Sequence, residues 1–118
     1  LCAALRAGGI EPDPALQFDA LTSEDAGYRA ASALIASGRP FDAIFAASDL
    51  IAIGAMRALA GARRKVPEDV AVVGFDNIPA ASLTSPPLTT IQQDIAGAGE
   101  ALVETVLAQI EGRDPPEP

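Results

Sequence analysis

Histidine and tryptophan are absent from this chain, cysteine and methionine occur once each, and aromatic residues make up only 4% of it. Without histidine there is no imidazole to act as a general base, and metal-binding schemes lose their commonest ligand. One thiol, Cys2, excludes an internal disulfide and any cysteine-built zinc cluster, and it is compatible with a reducing compartment. Basic residues are also scarce. Eight Lys and Arg face sixteen Asp and Glu, a formal net charge of -8, so the electrostatic footprint of a nucleic-acid binder is missing. The single basic cluster, Arg63, Arg64 and Lys65, closes a helical pattern, where the helix dipole and solvent account for it. No apolar run approaches the roughly 18 residues of a membrane span. No secretory signal is visible, and the chain opens without Met in an already helical pattern. The reading is therefore of a piece of a longer polypeptide, about whose location the missing signal says little.

What is present is an ordinary globular composition, 49% hydrophobic and 20% charged over 118 residues. That length suits one domain able to bury about two-thirds of its unfolded surface. Helical and extended patterns alternate along it. Leu1 to Ala7 predicts a helix end stopped by Gly8 and Gly9, and Ala15 to Phe18 a short strand. Thr22 followed by Asp25 resembles a capping box opening a helix to about Ser37, with Tyr28, Ala31, Leu34 and Ile35 on its core face. Ala43 to Ala47 and Val70 to Phe75 are apolar runs of the kind found in strands buried on both faces. Between them, Ser48 and Asp49 supply a cap and a first-turn acid for a helix from Leu50 to Ala62, with a stripe of Ile51, Gly54, Ala55, Ala58 and Leu59. A short helix over Pro79 to Leu83 follows. Pro86 and Pro87 then force Leu88 to Gln92 to be extended, and Ile95, Leu102, Val106 and Ile110 space out a last helix to Glu111 before a proline-rich tail. Strands separated by helices imply an α/β fold with a parallel sheet flanked by helices.

Polar residues gather where these strands end. Asp76 and Asn77 follow Phe75, and Ser48 and Asp49 follow the preceding strand, so all four face the rim where parallel sheets hold ligands. Turn formation explains the first pair and helix capping the second; their coincidence at one rim is what favours a site. Glu24 with Asp25, or Asp76 with Asp49, are carboxylate pairs whose spacing demands no acid–base role. Ser48, Ser82 and Ser85 lack the histidine of a hydrolase, and no glycine-rich phosphate loop follows a strand. No enzyme, cofactor or metal is expected.

Three segments, Ala43 to Leu59, Val66 to Pro79 (VPEDVAVVGFDNIP) and Pro86 to Asp94 (PPLTTIQQD), resemble the effector-binding core of lactose-repressor (LacI/GalR) family transcription regulators, in that family's order and spacing. The resemblance covers nearly the whole chain. It implies one lobe of a two-lobe, type I periplasmic-binding-protein-like fold with the ligand in the cleft. Residues 1–91 correspond to the C-terminal lobe without its first strand, 92–112 to the hinge crossing and a helix of the N-terminal lobe, and 113–118 to a proline-rich tail. The implied effector is a small molecule, expected to be a sugar, held by Asp76, Ser48, Gln93 and Thr22. Ser48 stands where an asparagine is frequent. At Leu21 and Thr22, where many relatives carry a Trp or Phe, this chain has no aromatic residue. The family's ligand-clamping arginine has no counterpart, and Arg6 is not its equivalent. A homodimer is implied through Ile53, Met56 and Arg57 on a flank of their helix. Operator DNA would be read only by a helix-turn-helix that these residues do not contain. A solute-binding protein of a sugar transporter, which shares the fold, is the alternative. In the resembled fold the stripe of the last helix packs on the other lobe, so for these residues alone the helix is expected to dock on a second chain or fold back onto its own sheet.

Overall fold

In the computed structural model, which describes residues 1–114, a short helix α1 (Cys2–Ala7) and a 3-10 turn (Pro14–Leu16) precede helix α2 (Glu24–Ala36). Strand β1 (Ala43–Phe45), helix α3 (Asp49–Gly61), strand β2 (Ala71–Asp76), a second 3-10 turn (Pro79–Leu83), strand β3 (Thr89–Gln92) and helix α4 (Ile95–Ile110) follow. The three strands form one parallel sheet in the order β1-β2-β3. Phe45 lies opposite Val73, and Phe75 opposite Ile91.

Both central helices start as the sequence predicts, at a hydroxyl in extended backbone. Ser48 Oγ accepts from the Ile51 amide at 3.4 Å. For α2 the capping residue is Ser23, one place beyond the expected Thr22, and its Oγ accepts from Ala26 at 3.2 Å. The two helices then meet backbone to backbone. A Cβ on Gly54 would strike the Glu24 carbonyl, and one on Gly27 the Ile51 carbonyl, so each glycine is the gap that admits the other helix. Below this contact Ala52, Ile53, Met56 and Leu59 of α3 pack with Val70, Val72, Ala81 and Leu88. Leu59 and Val70 are fully buried.

Several expectations are corrected. Ala15 to Phe18 pairs with no strand among the described residues. Pro14 starts a tight turn there, and the Asp13 carboxylate accepts from the Ala15 amide at 2.9 Å. Tyr28 stays 42% exposed because Gly27, Ala31 and Leu34 form the inner stripe; its ring lies 5.6 Å from the Arg57 guanidinium. Ile53 and Met56 do not lie on an open flank: each is 8% exposed within the core, and of the three expected dimer residues Arg57 alone faces solvent.

The strands are covered on one face, not two. Ile44, Val72, Gly74 and Thr90 turn toward α3, while Phe45, Val73, Phe75 and Ile91 alternate to the other side. Phe45 and Ile91 remain 50% and 53% exposed there. Helix α4 does not fold back to close that side. It is ordered, and Ile95, Leu102 and Ile110 are 71%, 68% and 76% exposed. Its projection raises the radius of gyration to 18.0 Å, against about 13–14 Å for a compact chain of this length. Part of the proline-rich tail, 115–118, lies outside the described residues.

Candidate effector site

The carboxyl ends of β2 and β3 and the start of α4 enclose an open cleft of about 460 Å³, lined by Asp76, Asn77, Gln92, Gln93, Asp94, Ile95 and Ala96. It forms because β2 and β3 end side by side, with Asp76 opposite Gln92 in the register. Past that point the backbone turns sharply, with positive φ at two successive residues, 123° at Asp76 and 55° at Asn77. Asp and Asn tolerate this region better than other side chains because their short polar groups bond locally. Such conformations persist only where the surroundings hold them.

The lining is polar and already paired within itself. Gln93 donates from Nε2 to Asp76 Oδ1, and Asn77 donates from Nδ2 to Gln92 Oε1 at 3.2 Å. Asp94 caps α4, its Oδ1 accepting from the Gly97 amide at 3.0 Å. No lysine or arginine lines the cleft. Carboxylates accept only, while the three amides both donate and accept. The set therefore suits a neutral ligand rich in hydroxyl groups, and it opposes a phosphate or carboxylate through the charge of Asp76.

Of the four sequence-predicted ligand residues, the structure brings Asp76 and Gln93 together. Ser48 is 4% exposed, with its hydroxyl occupied as a helix cap, and is not part of the lining. Thr22 is exposed at the start of α2, away from the cleft. Gln92 was legible as a hinge residue, and Asp94 only as the end of the third motif. Asp49, read as a paired carboxylate or a dipole acid, points inward instead: it is 0% exposed and bonds to the Ile78 amide and the Thr90 hydroxyl. Among the described residues no group of three or more Cys, Asp or Glu is placed to hold a metal, and no helix is long and apolar enough to cross a membrane.

The family model of the periplasmic binding protein-like domain matches residues 2–118. The chain belongs to that family. Among periplasmic-binding-protein-like chains it stands with the LacI-type regulators. It is 46% identical over 92 residues to the HTH-type transcriptional regulator MalR of Streptomyces coelicolor, a match covering 78% of this chain and 26% of that protein. A LacI family transcriptional regulator from Arthrobacter sp. FB24, solved in complex with lactose, superposes with a TM-score of 0.80 at 34% identity over 98% of this chain and 41% of its own. The complex of the transcriptional regulator CelR with cellobiose gives a TM-score of 0.88 at 37% identity, covering 93% of this chain and 34% of the other. The chain thus spans about a quarter of the curated relative and a third to two-fifths of the solved ones.

Proposed function

We propose that this chain is the effector-sensing part of a LacI-type transcriptional regulator, and that its effector is a neutral sugar. The observation that carries the reading is the cleft, where Asp76 and Gln93 stand together at the strand ends with amides beside them and no cation. Adjacent sugar hydroxyls would replace the Gln93 amide as donors to Asp76, and the freed amides would bond the remaining oxygens. The lactose and cellobiose complexes of similar regulators support a disaccharide.

In this reading the protein works by binding and not by turnover. Residues 1–91 form one lobe, and 92–112 cross to a second lobe on which α4 rests. Sugar biases the balance of two lobe arrangements, and operator DNA is read by a helix-turn-helix elsewhere in a cytoplasmic polypeptide. The helix-turn-helix regulator similar to this chain favours this over a transporter's solute-binding protein. A homodimer fits the same reading, with Arg57 the one of the three expected contact residues that faces solvent.

Calorimetric titration of the full-length protein with lactose and cellobiose tests the proposal. Saturable binding of at least one is expected, and Asp76→Ala should weaken it by about 1.5–3 kcal/mol, the worth of a charged hydrogen bond. Binding unaffected by that substitution removes Asp76 from the site. Light scattering at micromolar concentration checks the dimer.

A further inference from the structure

We infer that Asp49 and Thr90 are positioning residues for the cleft: together they hold the Asp76–Asn77 turn in shape, with the Asp49 carboxylate accepting on both oxygens. The inference rests on the reading above, in which Asp76 meets the effector.

Asp49 begins α3 yet is wholly buried. One of its oxygens, Oδ2, accepts from the Ile78 amide at 2.8 Å, and the other, Oδ1, accepts from the Thr90 hydroxyl at 2.5 Å. Thr90 Oγ1 in turn accepts from the Asn77 amide at 3.3 Å. The two backbone donors that directly follow Asp76 are thus both fixed, one by Asp49 itself and the other through Thr90. These bonds join the start of α3, the turn after β2 and the middle of β3, spanning 29 and 41 residues of sequence.

Both oxygens of Asp49 serve as acceptors. A backbone amide can only donate. An ionised carboxylate has no proton to give, so the Thr90 hydroxyl donates to Asp49, and its oxygen keeps a lone pair for the Asn77 amide. Both neighbours of Asp49 therefore act as donors, and an asparagine with its oxygen on the Ile78 amide would meet Thr90 with NH2 and make the hydroxyl turn its proton away. Room for the carboxylate comes from Gly74 on β2, where a Cβ would collide with Asp49 Oδ1. The positive φ values of Asp76 and Asn77 are what this clamp maintains. A buried charge at the first position of α3 is further stabilised by the helix dipole.

Backbone hydrogen exchange of the full-length protein, with Thr90→Val and Thr90→Ser alongside the wild type, tests this without any ligand. Valine keeps the shape of Thr90 and loses both bonds. Exchange at Asn77 and Ile78 is expected to accelerate at least tenfold in Thr90→Val, with amides in the middle of α3 unchanged, and to return toward wild type in Thr90→Ser. Asn77 and Ile78 exchanging at wild-type rates in Thr90→Val would overturn the inference. So would acceleration spread evenly over α3, which marks a general loss of stability. Asp49→Ala, which leaves the Ile78 amide without its acceptor, should reproduce the local effect. Titration with cellobiose and lactose is the second arm: affinity should fall about tenfold in Thr90→Val and recover in Thr90→Ser. If neither sugar binds the wild type, the proposed sugar class fails, while the exchange data still decide the role of Asp49 and Thr90.

Discussion

The two faces of the sheet are built from the same strands and meet opposite fates. Val72 and Gly74 lie beneath α3 with Leu88 and Ala52 against them, whereas Phe45 and Ile91, on the alternate positions, are about half exposed. Both faces are apolar, which is why the sequence reads as strands buried on two sides. Hydrophobicity thus reports what a strand is suited to bury, and the neighbouring elements decide what it does bury. Helix α4 makes the same point more strongly. Its residues are as apolar as those of α3, yet among its described residues Ala108 alone is buried. Separate exposed apolar residues are ordinary; a run along one helix is a surface suited to contact.

Substitutions can widen or erase that contrast. The largest effect is expected for Gly54→Ala, because the added Cβ meets the backbone of Glu24 and Tyr28 and not a side chain able to yield. A loss above about 3 kcal/mol, at or past the usual upper end for overpacking, is expected in urea unfolding. A loss below 1 kcal/mol would mean that the helices stand farther apart than described. Next comes a pair of neighbours on β2. Val72→Ala, on the covered face, should cost about 2 kcal/mol, within the range for large-to-small core changes, and Val73→Ala clearly less; equal losses would show that both faces are covered in solution. The smallest change is expected at Leu102→Ala on α4, within about 0.5 kcal/mol as for surface sites, measured on this chain by itself. A much larger loss would mean that α4 is packed against something.

Much of the fold was legible because its signals are local. Ser48 and the acid beside it announce α3, Pro86 and Pro87 enforce an extended β3, and alternating patterns yield the parallel sheet. Errors arose where one residue decides between local options, as with Ser23 over Thr22 as cap and the Pro14 turn in place of a strand. At the site, Asp76 and Gln93 were readable because they end strands within linked motifs. The burial of Ser48 was not, since one hydroxyl serves equally as cap or ligand contact. Asp49 was the least legible of all. Its identity suits a first-turn acid, and nothing local reveals partners that lie 29 and 41 residues away.

The crossed glycines of α2 and α3 carry a mechanical implication. Side chains between helices act as cushions: they change rotamer and absorb small displacements, so that one helix can shift without its neighbour. At Gly27 and Gly54 there is no such cushion, and main chain bears directly on main chain. The two helices therefore behave as a single stiff plate. A tilt of α3 that begins at Asp49, beside the cleft, must carry Glu24 and the first turn of α2 with it, and a sub-ångström movement at the sheet's rim becomes a displacement of an outer surface.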